Sequence, residues 1–424
     1  MKVSRTRSEV LRIPWLLVSL GVIREAGAQA ITEDVVIDRN PGAGEPLEKV
    51  VDYFTSHSFP GVVVGNGRGG LFLYRSTSGL KGPWRRSVID PKGFAYERAR
   101  AIRFPGHAYP DVVASIGNRI VWFENPMNGA GAAAVTLPWT PHIINAEHGC
   151  HDIRLEDLDG DGKVDVICSA GILLRAPAFV AFQNDPLHWQ VIDNVADVGD
   201  DIAVVRVGGD PTPHLVGADQ TGGIFWFENP RLRGGSARTA NWVKHYIGPG
   251  NVGNSFAAGR WSSTKDDVLT VDNEHEGPGG TGDSRGITWY EQPADPTGPW
   301  LAHGMGASYR DVHEISLGEW HGGVPFVLVA EQEQACDPAR PEGRAPSHPG
   351  VPCRITMFQW IDGAPQKTVL AWTGTHNQVL LPWQDGLLMG DSNHGVYGAS
   401  KAIHLRVILP RSQHTLKSGG QAID

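Results

Sequence analysis

The chain has 424 residues, with 53 glycines, 30 prolines, 14 tryptophans and a formal net charge of −9. Scattered glycine and proline among regularly spaced aromatics point to many short strands and tight turns rather than long helices. The acidic balance excludes a basic footprint for nucleic acid, and no apolar run is long enough to span a bilayer.

In chain order, the first element is an export signal over residues 1–30. Lys2, Arg5, Arg7 and Arg12 form a basic region, Ile13 to Ile23 a short apolar run, and Ala28-Gln29-Ala30 an A-x-A cleavage site. A secreted or periplasmic location follows from it. The next element is a lone strand, Asp34-Val35-Val36-Ile37-Asp38, which resembles Arg86 to Asp90 and Gln190 to Asp193 further along.

A repeated block then begins. It opens with an apolar strand, turns into a second, and continues into a strand ending in an aromatic pair, often followed by Glu-Asn-Pro. A last strand carries a tryptophan. The aromatic strand reads Leu71 to Tyr74, Ile120 to Pro126, Phe179 to Phe182, Ile224 to Pro230, Ile287 to Glu291 and Ile355 to Trp360. The last-strand tryptophans are Trp84, Trp139, Trp189, Trp242 and Trp300, spaced by 50 to 58 residues, which suits a four-stranded blade with its loops. First strands begin near Val51, Arg100, His151, Asp201, Ser255, His313 and His376. The seventh block lacks a clear final strand after Ile403 to Val407, and the N-terminal strand supplies one, which removes the exposed sheet edge. The expected fold is an all-β, seven-bladed β-propeller over residues 31–410, followed by a disordered tail at 411–424.

The third block contains Asp157-Leu158-Asp159-Gly160-Asp161-Gly162-Lys163-Val164-Asp165. Carboxylates at relative positions 1, 3, 5 and 9 with glycine at 6 suit Ca²⁺, which takes six to eight oxygen ligands. The Lys163 carbonyl fills position 7. Strand-like flanks make this a hairpin loop, and an ion here is a structural staple. The loop with its flanking strands resembles the FG-GAP or VCBS repeat family. Gly208 to Pro211 and Ser263 to Asp266 are remnants of the same loop. The blades with Trp-Phe-Glu-Asn-Pro are also similar to the propeller of aldos-2-ulose dehydratase. That resemblance implies elimination of water from oxidised sugars and bound metal ions, without transferring individual catalytic residues.

Strand order sorts the loops onto two faces. The links between blades and the turns between second and third strands share the face opposite the calcium loop. There they gather Glu97, Arg98, His148, His151, Asp200, Asp201, Asn251, Asn254, Arg310, His313, Glu314, His376 and Asn377. The turns add Asn66, Arg68, Asn118, Arg119, Asp219, Gln220, Asp272 to His275, Glu331, Gln332, Asp391, Asn393 and His394. Such a mouth has the groups for β-elimination on a sugar or uronic acid. His151 or His313 is the candidate base. Arg98 or Arg310 holds the developing anion, and His376 and Glu314 complete the candidate set. The same imidazoles and carboxylates suit a second divalent ion such as Zn²⁺ or Mg²⁺. A non-catalytic propeller binding glycan or protein is the alternative, and a hydrolase using Glu314 with Glu331 is a third reading. His142, His245 and His303, each three residues after a last-strand tryptophan, read as packing groups at the outside of the ring.

There is no His-Glu-x-x-His and no phosphate loop, and the glycine-rich Gly277 to Gly282 lacks a following helix. Cys336 and Cys353 flank a Pro/Gly-rich insertion, Asp337 to Pro352, whose base they suit as a staple. Cys168 reads as a buried thiol in an apolar strand. Four cysteines allow three pairings, among which sequence does not choose.

Overall fold

The computed structural model describes residues 30–39, 46–66, 70–76, 78–91, 95–129, 131, 135–136, 138–169, 178–193, 195–196, 198–199, 201–219, 222–239, 241–250, 255–271, 283–284, 286–306, 309–310, 312–320, 323–331, 354–371, 378–383, 386–391 and 403–410, with two short stretches at 19–20 and 24–25. Segments 170–177, 272–282, 332–353, 372–377, 392–402 and 411–424 lie outside the described residues, and with them Cys336, Cys353 and most of the expected export signal.

The repeated block folds as a sheet of four antiparallel strands. Among the described residues, seven such sheets follow one another over 46–90, 95–145, 153–193, 203–249, 255–304, 312–371 and 378–410. They are numbered 1 to 7 here in that order. Sheet 7 has three strands of its own, and its fourth is Ala30–Asp38, antiparallel to Ile403–Pro410. The N-terminal strand therefore closes the last sheet, as the orphan sequence predicts. A two-stranded ribbon joins Asp283–Ser284 to Tyr309–Arg310, and Ser19–Leu20 and Arg24–Glu25 run parallel to the outer strands of sheets 5 and 6. The helical turns among the described residues are 3₁₀, and none is long and apolar enough to cross a membrane.

First strands touch in chain order, and that of sheet 7 returns to that of sheet 1, so the sheets close into a β-propeller ring. The core is divided accordingly. Each junction between consecutive sheets, including the one between sheets 7 and 1, has its own buried apolar cluster. A strand with a sheet against each face has no solvent side. Hence Asp111–Ile116, Asp165–Cys168 and Pro213–Ala218 are buried at every residue, and their sequences run apolar without alternation. The outer strands Thr140–Asn145 and Val243–Pro249 are mostly exposed or half-buried over their first four residues.

Polar groups stitch the junctions. Arg103 of sheet 2 makes a bidentate pair with Asp52 of sheet 1 at 2.6 and 2.8 Å. The Pro186 carbonyl of sheet 3 accepts from the indoles of Trp122 (2.9 Å) and Trp189 (3.0 Å), and the Pro296 carbonyl of sheet 5 accepts from Trp226 (3.1 Å) and Trp300 (3.0 Å). The Glu-Asn-Pro signature has a similar duty. Asn125 caps the 3₁₀ turn Pro126–Asn128 and donates to the carbonyls of Phe54 and Pro110, both at 2.8 Å. Asn229 caps Pro230–Arg233 and donates to Leu158 at 2.8 Å and Pro213 at 3.0 Å. Each asparagine thus bolts its sheet to the first loop of the sheet before.

Candidate functional site

The acidic loop lies between the strands Ile153–Glu156 and Asp165–Cys168, whose register pairs Glu156 with Asp165. Leu158 is buried and anchors it to the core. Gly160 and Gly162 have φ of +74° and +82°, the left-handed region that glycine adopts without strain. The turn wraps around Asp157, whose carboxylate accepts the backbone N–H groups of Gly160 (2.6 Å), Asp161 (3.2 Å) and Gly162 (2.9 Å). Asp157, Asp159 and Asp165 each present a carboxylate oxygen, all within 4.8 Å of one another. Asp165 is buried and accepts from the Leu158 and Gln183 N–H groups at 2.9 and 3.0 Å. Burial, together with the charges of Asp159 and Asp157, pushes its pKa up to about 7. Three converging oxygens of this kind fit a hard divalent cation. Asp161, the other expected carboxylate, makes an ion pair with Lys163 at 2.5 Å.

Sheet 4 reaches over this loop, a feature the sequence reading missed. Arg238 donates from Nε to Asp159 at 2.5 Å, and its Nη2 lies 3.5 Å from Asp161 and 3.1 Å from the Gln183 carbonyl. Arg231 donates to the Leu158 carbonyl at 3.1 Å, and its guanidinium occupies the space that a side chain at Gly160 would need.

Asp165 has counterparts in other sheets. Asp111, His214 and Asp267 stand at the first or second residue of the second strands of their sheets, are fully buried, and accept the N–H of the residue just after the third strand. The pairs are Asn125 to Asp111 (2.6 Å), Asn229 to His214 Nδ1 (2.9 Å) and Gln292 to Asp267 (3.3 Å). Burial raises the pKa of Asp111 and Asp267, and lowers that of His214 to about 4. A single Asp or His before an apolar run carries no signal by itself. Aligning the blocks on the second strand would have found all four.

At the opposite end of sheet 3, where its first strand begins, charged groups from three sheets meet. Asp152 is buried and receives Arg100 of sheet 2 at 3.1 Å and Arg154 of its own strand at 2.8 Å. Its backbone N–H donates to Ser169 Oγ at 2.8 Å. The buried ring of His151 places Nδ1 3.9 Å from Asp201 Oδ1, just ahead of the first strand of sheet 4. The Arg154 guanidinium donates to the Ile202 carbonyl at 2.7 Å. His151 and Asp201 are thus brought together, joined by Asp152, Arg100 and Arg154, which the sequence reading did not name as site residues.

The other expected residues fare differently. Arg98 lies in the strand Ala95–Ile102, Arg310 in Tyr309–Arg310, and His313 and Glu314 in Val312–Glu319, while their side chains lie outside the described residues. His376, His275 and His394 lie outside them altogether, as do Asp200, Gln220, Asn251, Asn254 and Gln332. Two mouth carboxylates are engaged in ion pairs: Asp219 with Lys244, and Glu331 with Arg354, whose Nε is 2.9 Å away. On the outer strands, His142, His245 and His303 stack on Trp122, Trp226 and Trp289 at centroid distances of 4.1 to 4.2 Å. Each also meets a third-strand glutamate, Glu124, Glu228 or Glu291, at 3.2, 2.7 and 3.0 Å.

Comparison with known proteins finds a family match over part of the chain and several similar solved structures. Residues 106–168 match the FG-GAP-like repeat family. The matched segment runs from the first loop of sheet 2 to the end of the second strand of sheet 3, and so contains Asp111, the acidic loop and Asp165. No curated protein sequence matches the chain. Similar solved structures include BBS1N in complex with ARL6DN, at 11% identity and a TM-score of 0.49 over 92% of this chain and 99% of that one. Others are a point mutant of the α-L-arabinofuranosidase Arb93a from Fusarium graminearum with an iminosugar inhibitor, at 10% identity and a TM-score of 0.46, and a second structure of that enzyme with an iminosugar inhibitor, at 11% and 0.44. Both cover 90% of this chain and 98% of theirs.

Proposed function

We propose that this FG-GAP-repeat propeller acts on an acidic or oxidised sugar by β-elimination at the rim of sheets 2 to 4. The reading rests on one observation, the cluster of His151, Asp201, Asp152, Arg100 and Arg154. A neutral imidazole accepts a proton beside a carbonyl or carboxylate, and a nearby aspartate stabilises the imidazolium that results. The guanidiniums of Arg100 and Arg154 both meet Asp152 and bring positive charge to this rim, where a substrate carboxylate or a developing enolate would be held. In this reading His151 is the base, Asp201 stabilises it, and Arg100 and Arg154 hold the anion. Arg98, in the first strand of sheet 2, and His313 and Glu314, in the first strand of sheet 6, fall toward the same rim by strand order, and Arg310 and His376 belong to the same proposal.

Asp157, Asp159 and Asp165 would hold Ca²⁺, with Asp161 and the Lys163 carbonyl as further oxygens. A bound ion there neutralises the acidic turn and fixes the first hairpin of sheet 3. The loop lies at the opposite end of sheet 3 from His151, so its part is structural. A second divalent ion at the rim, and export directed by residues 1–30, belong to the same proposal.

The test incubates the protein with a panel of uronic-acid glycans and keto-sugars and follows ultraviolet absorbance from an unsaturated product. We expect product from the wild type and none from His151→Ala, with thermal unfolding unchanged. Product formation by His151→Ala at the wild-type rate removes His151 from the reaction. One observation favours a binding propeller instead: the Asp219–Lys244 and Glu331–Arg354 pairs neutralise two rim carboxylates. Glycan affinity without product from any member of the panel would establish that reading.

A further inference from the structure

Sheet 3 carries a second feature, independent of any reaction at the rim. Cys150 sits in the link entering the sheet and Cys168 at the end of its second strand. Both are buried in the apolar cluster between sheets 2 and 3, at 1% and 0% exposure. The backbone brings them together. Cys168 lies opposite Ile153 in the antiparallel pair, and the next residue, Ser169, donates its N–H to the Asp152 carbonyl at 3.1 Å. Cys150 is two residues upstream of Asp152, with its own N–H held by Ser115 Oγ of sheet 2 at 3.1 Å. Gly149 before it packs so closely on the Gly117 carbonyl that a side chain there would clash. The link is therefore pinned, with both free thiols in the same buried apolar cluster.

We propose that Cys150 and Cys168 are a disulfide-forming pair, oxidised by exchange with a disulfide carrier such as oxidised glutathione or an oxidised dithiol protein. The bond would close residues 150–168 into a covalent loop. That loop contains His151 and Asp152 at one end of sheet 3 and the whole acidic turn at the other. A cross-link of this kind restricts the unfolded chain more than the folded one. Of the three pairings the cysteine count allows, this proposal takes the one that joins these two.

The exchange balances. One cysteine thiolate attacks the carrier disulfide, forming a mixed disulfide and expelling one carrier thiolate. The second cysteine sulfur attacks the first, expelling the other. Two protons pass from the protein thiols to the carrier thiolates, and two electrons pass from the protein to the carrier. Burial pushes the Cys168 thiol well above its usual pKa, so the native core holds it protonated and unreactive. Oxidation accordingly belongs to folding, before sheets 2 and 3 close.

The test refolds the full chain from urea with oxidised and reduced glutathione, denatures it without reductant, alkylates with N-ethylmaleimide and maps the digest by mass spectrometry. We expect a cross-linked peptide pair containing Cys150 and Cys168, two hydrogens lighter than the reduced pair, with neither residue alkylated. In Cys150→Ser, Cys168 should become alkylated, while any bond between Cys336 and Cys353 persists. Alkylation of both Cys150 and Cys168 in the refolded wild type would overturn the proposal. So would bonds joining either of them to Cys336 or Cys353.

Discussion

Asn229→Ala tests whether the Glu-Asn-Pro asparagine bolts neighbouring sheets together. Asn229 is fully buried and its side chain makes three hydrogen bonds: to the Leu158 carbonyl at 2.8 Å, to the Pro213 carbonyl at 3.0 Å, and from the Arg231 N–H at 3.1 Å. At about 1 kcal/mol net each, their loss costs about 3 kcal/mol. The Leu158 carbonyl keeps Arg231 Nη1 as a donor at 3.1 Å, but the Pro213 carbonyl loses its amide in a buried place. That stranded group adds about 1 kcal/mol, for a total of about 4 kcal/mol. The backbone N–H of Asn229 still reaches His214, so the third strand keeps its end. Reversible urea unfolding, followed by tryptophan fluorescence, measures the difference. Asn229→Asp should be at least as damaging, because it turns an oxygen toward two carbonyls. Asn125→Ala, with the same geometry, should match Asn229→Ala within the usual spread. A loss below about 1 kcal/mol for either alanine variant would refute the inter-sheet role, since a single exposed cap is worth that much.

Two further predictions concern the acceptors at the second-strand openings. His214 is buried with its pKa depressed to about 4 by burial, against the opposing pull of Glu228 and Asp210, with His245 and Arg206 also nearby. Between pH 6.5 and about 4 the unfolded chain binds the proton more readily, so stability should fall on acidification through this window by up to about 3 kcal/mol, a slope that His214→Asn should lack when the two are compared by urea unfolding. For the acidic loop, calcium should raise the wild-type unfolding temperature and a chelator should reverse the rise. Asp165→Asn should fold without calcium and show no such rise, and an equal calcium response in the variant would exclude Asp165 as a ligand.

The ring was legible in sequence because its units repeat. The third strands of sheets 2 and 4 carry the aromatic pairs Trp122-Phe123 and Trp226-Phe227, and their indoles and following asparagines meet equivalent partners in the neighbouring sheets. The orphan Asp34 to Asp38 was legible for the same reason: it matched the outer strands, and it pairs in that place with residues 403–410. The acidic loop was legible because all its candidate oxygens lie within nine residues. Contacts between sheets were not. Asn125 reaches Phe54 and Asn229 reaches Leu158 across 71 residues, and Arg238 reaches Asp159 across 79. A list of rim residues shows which groups share a face but not which are already neutralised. Asp219 and Glu331 looked as available as Asp201 until Lys244 and Arg354 were placed beside them.

The same distinction applies to the single intact acidic motif. Every second strand that opens with a buried acceptor must manage that acceptor in the dry interior, and an uncompensated buried carboxylate is costly. In sheet 2 the compensation is His107, whose Nδ1 lies 2.6 Å from Asp111. In sheet 5 it is Ser262, which gives Asp267 both its hydroxyl, at 2.7 Å, and its N–H, at 2.8 Å. Sheet 4 removes the charge altogether by using His214, held neutral. Sheet 3 surrounds Asp165 with two more carboxylates, which increases the charge instead of relieving it. Arg238 and Lys163 answer Asp159 and Asp161, while the direct donors to Asp165 among the described residues are two backbone N–H groups. The remaining charge is what a divalent ion would balance. The four sheets thus hold the same buried position with different devices: an imidazole in sheet 2, a hydroxyl in sheet 5, a neutral ring in sheet 4 and an acidic turn in sheet 3.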